Sequence, residues 1–569
     1  MMDNRFGIVN YTINDATTNL AQSEIKIIEE NLKENLKIVD IDKIRKEEEL
    51  LLFNLIDEFL QDGIDYTSVT LKEILIDSNE TYIDNQHSFM SGGQIVLDII
   101  EGNFIIITRN KLKYVIDTQK VDTKYYCVLL NTFSPQKITF NSKSLYEKLQ
   151  LGINGLYDLP LVFNILFNIP RLDLDTLIRL VSKTEVEFDY DSFAYMLFEL
   201  QKRVNFIIQK TNQSKLINKE HLLLPILNAC ELNGILINPK SFQNYIYDLK
   251  ENKKIALALL KEKYGSEILN SLTSKDDLLN YLHSRNIASS LNQTLLKSLG
   301  LQELYGYIVI DNKLSKLDRK ELNHNENRLY ISYDYYDKYG NIKPNIDIAP
   351  LYLDNSNRNV VVGKYHDLFF KIFASEIKEP LLIEGVNSND LNTYISDKIL
   401  ANYTELDKFL VIEIIKALAK YQVISYNQLL NYLYSATSTI VEIDKIKFLV
   451  KSILDKMPNF LKRIAEFSKK KSKDKRFTFE TNSNFYNYIL LTQSDIYKTA
   501  ILRINESIQQ YNCCSKARID VIALMEDKII LQCDKEALNV AIDVLNRKLP
   551  EAYSEYVKSV ISVCEVYSL

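Results

Sequence analysis

Three short β-rich runs stand in quick succession, QIVLDII (94–100), NFIIIT (103–108) and LKYVID (112–117), with Glu101-Gly102-Asn103 as a turn between the first two. Past them the pattern alternates. KYYCVLLNTF reads as helix, QKITFN as strand and SKSLYEKLQLGI as helix, and YDLPLVFNILF and LDLDTLIRLV follow as helices. Strands first and alternation afterwards predict an α/β domain. Upstream, residues 23–62 place apolar positions at helical spacing among many Glu and Lys, as in a solvated helix packed on a neighbour. From His221 to about Lys320 nearly everything reads as helix, including a long amphipathic run, PKSFQNYIYDLKENKKIALALLKEKYG, that ends at Gly265. Beyond Arg328 short strands mix with long helices. The C-terminus returns to β: RIDVIALMEDKIILQC predicts two strands around Glu526-Asp527-Lys528, then a helix, KEALNVAIDVLNRKL, and a last strand, VISVCEV. No internal repeat and no low-complexity linker interrupts this order.

The chain has 569 residues, 46% of them hydrophobic and 25% charged, which suits several globular domains rather than a disordered chain. Glycine is sparse, with 14 residues where average usage of ~7% would give about 40. Together with abundant Ile, Asn, Lys and Tyr and no Trp, this points to coding bias, so a missing glycine carries little structural meaning. The net charge of −6 leaves nucleic-acid binding to a local basic stripe. Six cysteines without a CxxC pair, beside five histidines, read as reduced and mostly buried thiols with no structural zinc. No apolar run spans a bilayer, and residues 1–10 lack the features of a signal peptide, so the expected location is cytoplasmic and no membrane partner is expected.

Several segments, in order, resemble family A DNA polymerases of the bacterial DNA polymerase I large-fragment type. LLLPILNACELNGILINPKSF is similar to the entry helix of the thumb, PVLxxMExxGIxID, and LTSKDDLLNYLHSRNI to NSPKQLxxxLF, with Ser274 as a helix cap. KPNIDIAPLY resembles PNLQNIPI through Pro344, Asn345 and Pro350. VVVGKYHDLFFKIFAS resembles the first palm motif, LVxADYSQIELRILAH, through Tyr365, Ile372 and Ala374, with Lys371 for the Arg. TQSDIYKTAILRI resembles TAADIIKxAMxxI through Thr492, Asp495, Lys498 and Ala500, and VIALMEDKIILQC resembles the last palm motif, LLQVHDELVFE. Upstream, the stretch from QKITFN to NILF is similar to the proofreading segment around NxKFD, keeping Asn141, Lys143, Gly152, Ile153 and Asp158. The resemblance covers Gln94 to Leu569. It implies an α/β, RNase H-like 3′-5′ exonuclease-type domain followed by an α+β right hand of palm, fingers and thumb. The implied division is a mostly helical extension at 1–90, an exonuclease-like domain at 91–210 and a polymerase-like domain at 211–569, with the thumb at about 215–325 and palm and fingers at about 326–569.

The chemistry implied by the resemblance requires two Mg²⁺ ions ~3.5–4 Å apart on acidic oxygens. The first palm aspartate falls on Lys364, whose ammonium repels a cation. The glutamate that follows falls on Phe369. The His-Asp-Glu of the last motif becomes Glu526-Asp527-Lys528, so Asp527 is the catalytic acid retained, and strand geometry turns Glu526 to the opposite face. Asp367 is an alternative acid if the register shifts. In the fingers, Lys416 and Lys420, beside Tyr421, are the remnant of the nucleotide-binding RxxxKxxNFGxxYG helix. The TGR element appears as Tyr339-Gly340-Asn341 without its Arg. In the proofreading segment Asp98 and Glu101 are three apart rather than two, Leu145 replaces an aspartate, and Asp158 remains either as a lone acid or as a helix-start cap.

The implied protein is a pseudo-polymerase with no metal site and no cofactor (Mg²⁺ if it proves active). Its expected partner is DNA or RNA of primer–template type, with other subunits of a replication or transcription assembly as a further expectation. An active, divergent DNA polymerase and a protein-interaction scaffold are the alternatives. The candidate nucleic-acid contacts are Lys462, Arg463, Lys469, Lys470, Lys471, Lys473, Lys475 and Arg476, a basic run that also reads as a solvated loop, and Lys498. The Tyr-rich run LYISYDYYDKYG reads equally as stacking surface or as strand.

Overall fold

A computed structural model describes residues 71–569 except 82, 85–92, 101, 123, 126–130, 132–135, 150–154, 168–189, 273–274, 286–301, 319–327, 336–339, 343, 345–357, 389, 422–423, 438–440, 470–484, 526, 559, 561–563 and 569. The helices expected at 23–62 and 172–181 lie outside the described residues, as do Glu101, Ser274, Tyr339, Asn345, Pro350 and Glu526.

The first unit is a six-stranded sheet. Its strands are β1 (Lys72–Ile76), β2 (Gln94–Ile100), β3 (Asn103–Thr108), β4 (Leu112–Ile116), β5 (Gln136–Thr139) and β6 (Leu156–Asp158), in the order β1-β4-β3-β2-β5-β6. The expected three-strand cluster is an antiparallel meander, β2-β3-β4, and its first turn closes on Gly102 at φ 85°, a conformation glycine adopts without a Cβ clash. β5 and β6 continue the sheet in parallel beyond β2. Two details differ from the sequence reading. β1 pairs in parallel with β4, so the segment expected to be mostly helical up to residue 90 contributes an edge strand. The run YDLPLVFNILF begins as strand β6 and becomes helix only at Leu159, because Tyr157 and Asp158 complete the sheet. Helices α1 (Ser142–Leu149), α2 (Leu159–Phe167) and α3 (Tyr190–Thr211) share a core with this sheet.

Helix α4 (Ser214–Asn233), with Pro225 inside it, leads into the short pair β7 (Ile235–Leu236) and β8 (Arg328–Leu329). α5 (Pro239–Tyr264) follows with both ends written in the sequence. The Asn238 side chain accepts the Ser241 N–H, Pro239 starts the first turn, and Gly265 at φ 82° closes the last. α6 (Glu267–Ser271), α7 (Lys275–Ser284) and α8 (Gln302–Asp318) enclose a small separate core with it, built on Leu260, Ile268, Leu282 and Leu304.

The last unit is a four-stranded antiparallel sheet of β9 (Asn359–Tyr365), β10 (Ile519–Met525), β11 (Lys528–Cys533) and β12 (Cys564–Ser568), in the order β10-β11-β9-β12. Between β9 and β10 the chain forms α9 (Leu368–Ile377), α10 (Pro380–Val386), α11 (Leu391–Ile399), α12 (Glu405–Tyr421), α13 (Tyr426–Thr437), α14 (Ile443–Lys456), α15 (Phe460–Lys469) and the long α16 (Phe485–Cys514). α17 (Leu538–Tyr556) packs against β9. There, a Cβ on Gly363 would stand 2.9 Å from Leu549 Cδ1 and 3.0 Å from Leu545 Cδ2, so a side chain at that point would have to displace the leucine methyls. Cys230 and Cys533 are buried and Cys564 is half-buried, but Cys513 and Cys514 are exposed at the end of α16, against the expectation of mostly buried thiols. Among the described residues no helix is long and apolar enough to cross a membrane.

Candidate nucleic-acid interface at the four-stranded sheet

The β10–β11 hairpin forms where alternating apolar runs flank a charged turn. It holds Asp527 at the end of the sheet, and the Tyr365 N–H donates to the Asp527 carbonyl at 3.1 Å, tying the turn to β9. Register then decides the charges. Lys528 on β11 lies directly opposite Lys364 on β9, and Glu565 on β12 lies on the other side of Lys364, so all three occupy one row on one face. Lys364 Nζ is 3.8 Å from one Asp527 oxygen and Lys528 Nζ is 3.8 Å from the other. Glu565 engages the His366 ring instead, at 2.9 Å. The glutamate position of the family motif, Phe369, packs its ring on Phe370, Phe373 and Tyr486. Asp367, the alternative acid, is exposed at φ 50° as the residue before α9.

Two magnesium ions need several carboxylate oxygens around them. Here, among the described residues, the Asp527 carboxylate is bracketed by two ammonium groups, and its neighbours in the motifs are Phe369 and Lys528. The residues present do not fit the metal pair that the fold family implies. Among the described residues no group of three or more His, Cys, Asp or Glu side chains is arranged to hold a metal ion.

The fingers remnant is drawn into internal contacts. Lys416 pairs with Glu413 at 2.7 Å and lies over the Phe370 ring, and Glu413 also accepts from the Tyr432 hydroxyl. Lys420 stands over the rings of Tyr421, Tyr432 and Tyr486, at 5.0 to 5.9 Å from their centres. Of the basic run, Lys462 is exposed on α15. Arg463 is turned inward, donating to the Ile377 and Lys378 carbonyls that end α9 and pairing with Glu379 at 3.6 Å, so it serves as a helix C-cap rather than a free phosphate contact. Lys469 closes α15, and Lys470, Lys471, Lys473, Lys475 and Arg476 lie outside the described residues.

Lys498 requires a correction. Expected at the nucleic-acid surface, it is 4% exposed and donates to both Glu220 oxygens, at 2.8 and 2.7 Å, from α16 to α4. A phosphate could reach it only by breaking a buried pair. The pair belongs to a seam along α4 that sequence reading missed. Lys219 pairs with Asp495, and the Glu231 carboxylate accepts from Lys143 of α1 (3.0 Å), from the Tyr333 N–H (2.6 Å) and from the Tyr335 hydroxyl (3.1 Å). Tyr333 is buried with its hydroxyl accepting the Leu524 N–H, so the described tyrosines of LYISYDYYDKYG include two that hold the fold together. Partners 278 residues apart, as Glu220 and Lys498 are, leave no local pattern to read. The one signal was four consecutive polar residues, Asn218-Lys219-Glu220-His221, ahead of the apolar run LLLPIL in the same helix.

In the first unit, Asp158 is fully buried and caps α2. Its oxygens accept the Leu161 N–H at 2.8 Å and the Ser142 N–H at 3.2 Å, and its own N–H donates to His221 Nε2 at 2.8 Å. His221 Nδ1 is 2.8 Å from the Ile217 carbonyl, which fixes the neutral tautomer with its proton on Nδ1. Burial pushes the Asp158 carboxyl above its ordinary range, opposed by those N–H groups, and burial pushes His221 down. Leu145, at the position of the second acid, is fully buried, and Asn141 caps α1 through the Ser144 N–H.

No known family profile matches this sequence, and no curated protein does. Among solved structures, the POL domain of Pol1 from M. smegmatis, in complex with DNA primer-template and dNTP, superposes with a TM-score of 0.64 at 13% identity, over 88% of this chain and 99% of that one. The chain therefore has the fold of a polymerase domain.

Proposed function

We propose that this chain is a polymerase-fold protein that binds nucleic acid of primer–template type without two-metal catalysis. An inert RNase H-like exonuclease unit at about 91–210 would precede a palm, fingers and thumb at 211–569. The strand order of the first sheet supports the former assignment, and the antiparallel sheet with its inserted helices supports the latter. One observation carries the reading: the carboxylate of Asp527 lies between two ammonium groups, each 3.8 Å away, where the fold calls for converging acids. The bound primer–template of the similar structure supports DNA, or RNA of like shape, as the partner. Service as a subunit of a replication or transcription assembly is part of this proposal.

Two assays on the full chain test this. No primer extension is expected with Mg²⁺ or Mn²⁺, and extension abolished by Asp527→Ala would overturn the reading. Affinity for a duplex with a single-stranded overhang is expected to fall steeply with salt. Neutralising Lys469, Lys470, Lys471 and Lys473 should flatten that dependence by roughly 0.7–0.9 of a logarithmic unit for every phosphate left without a cation.

A further inference from the structure

Building on the nucleic-acid-binding reading, we propose that Lys364 and Lys528 form a fixed pair of cations that grips a phosphate group, so that binding at the four-stranded sheet needs no divalent ion. Like charges directly opposite on neighbouring strands destabilise a sheet, and these two lysines are register partners on the same face. Asp527 relieves that repulsion incompletely. At 3.8 Å from each ammonium it lies beyond hydrogen-bond range of both, and neither ammonium has an acceptor within that range among the described residues. Each lysine therefore keeps three N–H donors for an outside anion. The third charge of the row, Glu565, is engaged by His366.

The pair is accessible and well anchored. Their side chains are 30% and 27% exposed, enough for the charged ends to meet solvent. Their backbones are held by the Tyr365–Asp527 bond and by the Tyr497 hydroxyl, which donates to the Lys528 carbonyl. Because their backbones are register partners, the two lysines can converge on one phosphate, each as a point charge on its own stem. Asp527 then sets affinity downward, by competing with the phosphate for both lysines.

The phosphate could come from a nucleic-acid backbone or from a free nucleoside triphosphate, and the experiment separates the two. Anisotropy with a labelled primer–template is measured for the full chain in EDTA and in Mg²⁺ at matched ionic strength, and heat of binding is measured with a deoxynucleoside triphosphate in EDTA. Lys364→Gln with Lys528→Gln should weaken DNA binding about tenfold and lower the salt slope by about 0.7 for single strand or about 0.9 for duplex, as for the loss of one phosphate contact. Asp527→Asn should tighten binding several-fold, a change that mere loss of folding would not produce. The parent should bind DNA equally in EDTA and Mg²⁺. Parent binding that is unchanged by the double glutamine variant, or that requires Mg²⁺, would overturn the phosphate grip while leaving nucleic-acid binding intact. A parent that ignores DNA but binds triphosphate through the lysines would overturn the broader reading and retain the grip. No binding in either arm would overturn both.

Discussion

The seam along α4 and the open end of the four-stranded sheet use the same charged residues in opposite ways. Along α4 charge is closed in: Lys498 against Glu220 at 2.7 Å, and Lys219 against Asp495. At the sheet end, Lys364 and Lys528 each stand 3.8 Å from Asp527, and all three side chains are partly exposed. A buried charge is stable only with its hydrogen bonds complete, whereas a solvated one tolerates loose spacing. Tight pairing therefore marks residues that hold the molecule together, and loose pairing marks residues with capacity left for something else.

Lys498→Met should break this contrast most. It strands the Glu220 carboxylate indoors and should cost about 3–5 kcal/mol in urea unfolding. Adding Glu220→Leu should recover most of that, whereas Lys364→Met should stay within about 0.5 kcal/mol. Equal losses for Lys498→Met and Lys364→Met would erase the distinction. Next in size is the comparison of the two retained aspartates. Asp158→Ala removes a buried cap that receives two backbone N–H groups and should cost about 2–3 kcal/mol, while Asp527→Ala should leave the melting temperature of the chain nearly unchanged. The smallest effect concerns Lys137 on β5, fully buried, where burial lowers the ammonium from 10.5 to about 8. Between those two values the unfolded chain holds a proton that the folded one has lost, so stability should rise with pH across that window and carry the full penalty below it. Lys137→Met should flatten the rise, as unfolding at pH 7 and pH 9.5 would reveal.

What could be read from the sequence was local. α5 declares its ends through Asn238-Pro239 and Gly265, and the last hairpin declares its turn through charges set between apolar runs. The expectation of a palm without a metal pair was local as well, resting on the residue types at Lys364 and Phe369. That Lys528 would face Lys364 was not, because register between distant strands is settled by packing on both faces of the sheet. Lys498 was misread because its motif suggested a nucleic-acid contact, while its burial depends on a glutamate contributed by another helix. β1 escaped notice because KEILI is short, half-charged and stabilised as a strand only by its neighbour β4.

Gly363 shapes the sheet end through volume alone. With leucine methyls filling the space its own side chain would have occupied, β9 lies close against α17, and the next residue, Lys364, projects from the opposite surface. The chain has few glycines to spare, and this one works as a shim: it adjusts the height of a charge by being thin.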